Sequence, residues 1–177
     1  MRFCRLCGVV AVAGAVLWSG AGGPRVEAAE KAPKTGPDKE AVERTREQVK
    51  MLDDLYKTAI VGMTKTYVHQ QLDTPAAIVA MELFDAMKKK GHHAARLVDA
   101  SGKPKSKTSL PDTDFEKKAV QAIKGGKAYY DEVGEKDGKP VLRAATVVPA
   151  VMKSCATCHG VKEGTLLGAV VYELPIK

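Results

Sequence analysis

The hexapeptide Cys155-Ala156-Thr157-Cys158-His159-Gly160 constrains this chain more than any other stretch. It has the C-x-x-C-H spacing that is typical of covalent haem attachment. Two thiols three positions apart can each add to one vinyl group on the same haem edge, and the next residue carries a neutral imidazole under the iron. The motif therefore predicts one covalently attached haem c, with Cys155 and Cys158 as the attachment positions and His159 as an iron ligand.

Two other chemistries use closely spaced cysteines. A structural zinc site normally takes four ligands, and beyond the N-terminal segment described next the chain offers no further cysteine and three other histidines: His69, His92 and His93. A disulfide within the motif would be redox-active. However, the adjoining His-Gly and the lack of a βαβ pattern are not typical of a thioredoxin-like site. Haem is the favoured interpretation.

The N-terminus has the order of a secretory signal. A basic start at residues 1–5 precedes an apolar run from Val9 to Trp18, and Val26-Glu27-Ala28 places small residues at positions −3 and −1 of a cleavage site. We expect residues 1–28 to be a signal peptide, 29–39 a flexible linker, and 40–177 the haem domain. Cleavage would remove Cys4 and Cys7, leaving an exported, periplasmic protein that is soluble once processed.

The net charge of +7 raises the question of nucleic-acid binding. Charges of both signs are scattered, and no arginine-rich stripe with interleaved aromatic residues is present. The composition therefore argues against a nucleic-acid partner, and a basic surface fits an acidic redox protein or anionic lipid better.

Periodicity predicts an α+β domain with an antiparallel sheet. A long first helix starts near Pro37 with a heptad-like face, which either packs in the core or forms the seam of a homodimer. Its charged first turns are expected in solvent, and Leu55 to Val68 in the core. The second helix, Ala76 to Lys90, is expected to bury five apolar residues: Ile78, Met81, Leu83, Phe84 and Met87. A strand (Ala94 to Ala100), a helix opened by a Thr113–Glu116 capping box, a hairpin around Glu135 to Gly138 and a last strand (Leu166 to Leu174) follow.

Three segments together resemble the Tll0287-like c-type haem family: Leu142-Arg143-Ala144-Ala145-Thr146, Val151-Met152 before the cysteine motif, and Leu167-Gly168-Ala169-Val170-Val171-Tyr172. The Phe115-Glu116 helix start fits the same family. The resemblance covers roughly residues 49–177. It implies a PAS-like or Cache-like sensor fold with one haem c, held by Cys155, Cys158 and His159. Some members supply a cysteine as sixth iron ligand in the segment that matches Leu97 to Ser101, where this chain has no cysteine.

The sixth ligand is therefore open. Candidates are three histidines and four methionines, each of which has an ordinary structural interpretation as an exposed or core residue: His69, His92, His93, Met63, Met81, Met87 and Met152. We expect a weak or absent protein ligand. A haem sensor of redox state or of a small diatomic ligand, and a soluble electron-transfer cytochrome, are the two leading functions. An enzyme such as a peroxidase would need a distal acid–base pair, which cannot be identified in the sequence.

Overall fold

A computed structural model describes residues 36–70 and 76–177, leaving out the side chains of residues 66–70 and 76. Its elements, in chain order, are α1 (Lys39–Gln70), α2 (Ala76–Lys89), β1 (Ala94–Asp99), a short 3₁₀ helix (Lys107–Ser109), α3 (Asp114–Lys124), β2 (Tyr129–Lys136), β3 (Lys139–Pro149), α4 (Lys153–His159) and β4 (Leu166–Pro175). The predicted signal peptide, most of the predicted linker and the turn at 71–75 lie outside the described residues.

The four strands form one antiparallel sheet in the order β1-β4-β3-β2. β2 and β3 are joined at Asp137 and Gly138, whose φ angles of 51° and 73° give the left-handed backbone that a two-residue hairpin requires. β4 comes last in sequence but lies between β1 and β3. The predicted α+β class is confirmed, as a PAS/Cache-like antiparallel sheet preceded by two helices of which the first is long.

Helices cover both faces of this sheet. Side chains alternate along β4, so Val170 and Tyr172 belong to the cluster that α1 and α2 complete, whereas Ala169 and Val171 pack with α3. The capping box predicted for α3 is present. The Thr113 hydroxyl accepts from the Glu116 N–H, and the Glu116 carboxylate accepts from the Thr113 N–H.

The prediction for α1 is wrong for its first half and partly right for its second. The first half is also in the core, where Val42, Thr45 and Val49 are buried, and Tyr56 is buried in the second half as expected. The glutamates and lysines of those turns occupy the outer positions of an amphipathic helix, so they do not keep the inner face in solvent. In the second half Leu55 is 59% exposed. Residues of the heptad-like face, Val49 and Tyr56 among them, therefore pack in the core.

The broad buried face predicted for α2 is also wrong. Phe84 is buried, with the small Ala80 beside it, whereas Ile78, Met81 and Leu83 are each more than a third exposed. The helix ends at Lys89, close to its predicted end. Hydropathy alone could not separate residues packed in the core from residues that border a cavity, and Met81 belongs to the second group.

A polar contact joins α1 to the sheet. The Asp53 carboxylate accepts hydrogen bonds from the Thr146 hydroxyl on β3 and from the Tyr172 hydroxyl on β4 at 3.0 Å. Its other oxygen lies 2.8 Å from the Lys57 ammonium, one turn later on the same helix. Burial, reinforced by the Asp53 charge, raises the pKa of Tyr172, which therefore remains a hydrogen-bond donor. Lys57 is thereby held at the wall of the main cavity.

Candidate functional site

Both cysteines and the histidine of the motif lie on α4, in the connection between β3 and β4. Residues three and four apart share one side of a helix, so Cys155 faces the same way as Cys158 and His159. The helix ends at Gly160, whose φ of 65° allows its N–H to bond back to the Ala156 and Thr157 carbonyls. Sequence reasoning placed the motif on a short turn. The structure shows a helix of two turns that presents three donors together.

The segment around α4 is closed at its base by backbone hydrogen bonds. The Ala150 N–H donates to the Thr165 carbonyl, and the Gly164 N–H donates to the Ala150 carbonyl, each at 2.8 Å. Cys155 is half-buried and Cys158 exposed, and both thiols are free. The segment therefore has the geometry that covalent haem attachment requires. It places two accessible thiols and an imidazole on one short helix whose base is fixed by hydrogen bonds.

The three motif side chains line one cavity of about 660 Å³. Its apolar lining comes from the sheet face that α1 and α2 cover, and from those two helices: Leu97, Val148, Val170, Ile60, Val61, Ala77 and Met81. Gly168 lies in the floor, opposite Asp99 on β1 and Val148 on β3. A Cβ at Gly168 would collide with the Val98 carbonyl oxygen, so only glycine lets β1 and β4 approach here.

These residues fit a haem. The volume lies within the range of about 300–1,000 Å³ that is usual for cofactor sites, and an apolar lining with few polar groups is what such sites share. α4 adds the thiol and imidazole donors that covalent attachment and iron ligation need. The polar groups gather in the loop after β1, where Lys103, Lys105 and Ser106 also line the cavity.

The electrostatics of His159 suit a metal ligand. Burial lowers the pKa of its imidazole, the nearby Lys105 ammonium lowers it further, and Asp99 opposes the change. The neutral ring, whose nitrogen has a free lone pair, is the form that binds a metal. At neutral pH the local field therefore favours the state that iron ligation requires.

The structure separates the candidates for a sixth ligand. Met81 lines the same cavity as His159. Met87, His92 and His93 line a second cavity of about 470 Å³ instead, and the His93 Nε2 atom is hydrogen-bonded to the Tyr56 hydroxyl at 2.7 Å. Met63 and Met152 line neither cavity, and the side chain of His69 lies outside the described residues. Among the candidates with described side chains, Met81 alone shares the site.

Sequence reasoning missed the walls of the site. The sequence predicts Ile60, Val61 and Thr64 in the core as part of α1 and the lysines after β1 in a polar loop, whereas residues of both groups line the cavity. Both groups come to the motif only through the tertiary fold. The signal available in the sequence was the spacing of Lys57, Val61 and Thr64, which places these three residues on one side of α1.

No helix within residues 36–70 and 76–177 combines the length and the apolar character needed to cross a bilayer. The family model that matches the chain is described as Tll0287-like and covers residues 35–167. A solved structure with a similar fold is entitled "Crystal structure of the cyanobacterial heme-protein Tll0287". It aligns with a TM-score of 0.56 and 12% sequence identity, over 78% of this chain and 96% of that one. No curated protein matches the chain.

Proposed function

Because the chain belongs to the Tll0287-like family, we propose that it binds one covalent haem c and senses redox state or a small diatomic ligand with it. The observation that carries this proposal is the convergence of Cys155, Cys158 and His159 on one apolar cavity. The fold is shared with a solved cyanobacterial haem protein. A soluble periplasmic electron-transfer cytochrome c is the alternative.

Each residue of the motif has a separate role. Cys155 and Cys158 would hold the haem through two thioether bonds, each thiol adding across one vinyl double bond so that its sulfur binds one vinyl carbon and its proton the other. His159 would provide a nitrogen ligand to the iron. The apolar side chains of α1, α2 and the sheet would exclude water from the ring. When bound, haem supplies an iron that changes oxidation state and can take an exogenous ligand.

The distal side decides between sensing and electron transfer. Ile60, Val61 and Thr64 on α1 offer no sulfur or imidazole donor, and Met81 is 39% exposed on α2. Met81 is therefore the one candidate donor with a described side chain at this cavity, and its thioether is a weak acceptor. We therefore favour an exchangeable or empty sixth position. Such a site suits ligand sensing better than fast electron transfer, because a change of ligand during redox adds reorganisation.

Covalent attachment is tested first. The purified protein, denatured and run on a gel, should keep a band that stains for haem peroxidase activity. The Cys155→Ser, Cys158→Ser double variant should lose it. Thr157→Ala is the matched control, because it alters an exposed position of α4 between the two thiols and leaves the donors in place. A stained band that survives in the double variant would refute covalent attachment through this motif.

Carbon monoxide tests the distal site. Added to dithionite-reduced protein, it should shift the Soret band promptly and completely, in the wild type and in Met81→Ala alike. Met63→Ala, on the neighbouring helix but outside the cavity, is the control. A low-spin spectrum that resists carbon monoxide in the wild type and yields to it in Met81→Ala would identify Met81 as a firm ligand. The electron-transfer alternative would then lead.

We also propose export of the protein, with cleavage after Ala28 and a periplasmic location, on the basis of the order of residues in the N-terminal segment. The partner would be a redox protein or a diatomic ligand. A homodimer through α1 would have to use its outer surface, where Met51 and Leu55 are exposed, since the inner face packs on the sheet.

A further inference from the structure

The haem-sized cavity carries an excess of positive charge. Four cationic side chains and one carboxylate line it: Lys57, Arg96, Lys103, Lys105 and Asp99. An apolar site with surplus cations suits a ligand that is mostly apolar but brings negative groups of its own. Which cations remain available for such groups follows from their contacts within the protein.

Two of the four cations are already engaged. Lys57 pairs with Asp53 at 2.8 Å. Arg96 pairs at 3.0 Å with Glu116, whose side chain is 4% exposed, and it also donates to the backbone carbonyls of Thr108 and Leu110, each at 2.9 Å. Both terminal nitrogens of Arg96 are thus engaged, one with a buried carboxylate and the other with two backbone carbonyls.

Lys103 and Lys105 differ from these two. Within residues 36–70 and 76–177 neither ammonium has a carboxylate within ion-pair distance. Asp99, the acid of the cavity, accepts from the Ser101 hydroxyl at 2.6 Å and from the Gly102 N–H at 2.9 Å. Its oxygens are therefore used in the turn after β1, and both lysines remain uncompensated beside an apolar site.

The loop that carries these lysines, residues 100–110, is held in place at both ends. At its start the N–H groups of Ala100 and Ser101 donate to the Leu167 carbonyl at 3.2 and 3.1 Å. At its end Arg96 holds Thr108 and Leu110. The charge of Lys105 is close enough to lower the pKa of His159. Both lysines therefore line the cavity of His159 from a loop whose backbone is anchored at each end.

We propose that Lys103 and Lys105 bind the two propionate carboxylates of the haem. This inference rests on the proposed function and deepens it, because it assigns the polar edge of the same cofactor. Two free ammonium groups match two carboxylates, and each contact is a charge-assisted hydrogen bond. The loop would then be tied to the cofactor in its middle as well as to the protein at its ends.

Hydrogen exchange of the loop amides tests the proposal. In the haem-loaded wild type, the amides of residues 101–103, 105 and 106 should exchange more slowly than in the Cys155→Ser, Cys158→Ser protein. Lys103→Gln and Lys105→Gln should each speed their exchange about two- to fivefold, the range expected for loss of one exposed ion pair. The Lys103→Gln, Lys105→Gln double variant should lose most of the protection.

Two controls make the test specific. Lys107→Gln removes the same charge from the same loop at a position that does not line the cavity, and should leave the exchange unchanged. Lys103→Arg with Lys105→Arg should restore protection. Equal exchange in the wild type and the Lys103→Gln, Lys105→Gln protein, with haem still on the denaturing gel, would overturn the propionate assignment alone. Loss of haem from the wild-type gel would overturn the proposed function itself.

Discussion

His93 shows how a single side chain can give the stability a dependence on pH. It lies half-buried against α1, with Nε2 hydrogen-bonded to the Tyr56 hydroxyl at 2.7 Å. Burial lowers the pKa of this imidazole, and the neighbouring His92 lowers it further. The unfolded chain therefore takes up a proton near pH 6.5, the ordinary histidine value, while the folded protein does not.

The sign of the resulting effect is definite. Above about pH 6.5 His93 is neutral in both the folded and the unfolded state, so its ionisation does not affect stability. Below that pH the unfolded state binds more protons than the folded state, and the free energy of unfolding falls. The slope is at most about 1.4 kcal/mol per pH unit. Urea titrations of the haem-loaded protein between pH 7.5 and 5 should show this loss, and His93→Gln should reduce it. His92→Gln, at an exposed site, should keep most of it, and an identical slope in His93→Gln would contradict the argument.

At the scale of elements, the attachment of α1 to the sheet depends on Asp53. Its carboxylate satisfies two buried hydroxyl groups, those of Thr146 and Tyr172. Asp53→Ala would leave both hydroxyls without their acceptor, so we expect a loss of about 2–4 kcal/mol in the free energy of unfolding. Asp54→Ala, next to it and exposed, should change stability by less than about 0.5 kcal/mol. Denaturant unfolding measures both, and similar losses in the two variants would show that the buried contact of Asp53 does not account for the effect, since alanine is the better helix former at either position.

Elements also differ in how far the sequence predicts them. The Thr113–Glu116 capping box and the Asp137-Gly138 hairpin are local, and both were recognised from residues a few positions apart. The burial of α1 was misjudged, because Val42 and Val49 share their turns with charged residues that point outward. Whether a side chain such as Ile60 packs in the core or lines the cavity depends on residues that are distant in sequence, such as Val170. These residues could not be identified before the fold was known.

On the scale of the whole molecule, the proposed haem would be part of the core. Apolar side chains from α1, α2 and the sheet converge on the cavity, and contact with a macrocycle would bury them at about 25 cal/mol per Å². Binding to the native state adds to stability. The wild-type protein should therefore melt well above the Cys155→Ser, Cys158→Ser variant, by calorimetry or circular dichroism. Cys155→Ser alone, which retains one attachment point, should fall between them. Equal melting temperatures would place the haem outside the core.

The position of β4 has a consequence for the order of folding. β1 has β4 as its neighbour in the sheet, so the first strand cannot pair until the last one has been made, and contacts across such sequence separations form slowly. The hairpin of β2 and β3 needs no such delay, because its strands are adjacent in the chain. α4 lies between that early hairpin and the late strand. Its two thiols would therefore be accessible on a half-assembled sheet before β4 inserts, as they are in the folded protein, so the proposed haem attachment would not have to wait for the sheet to close.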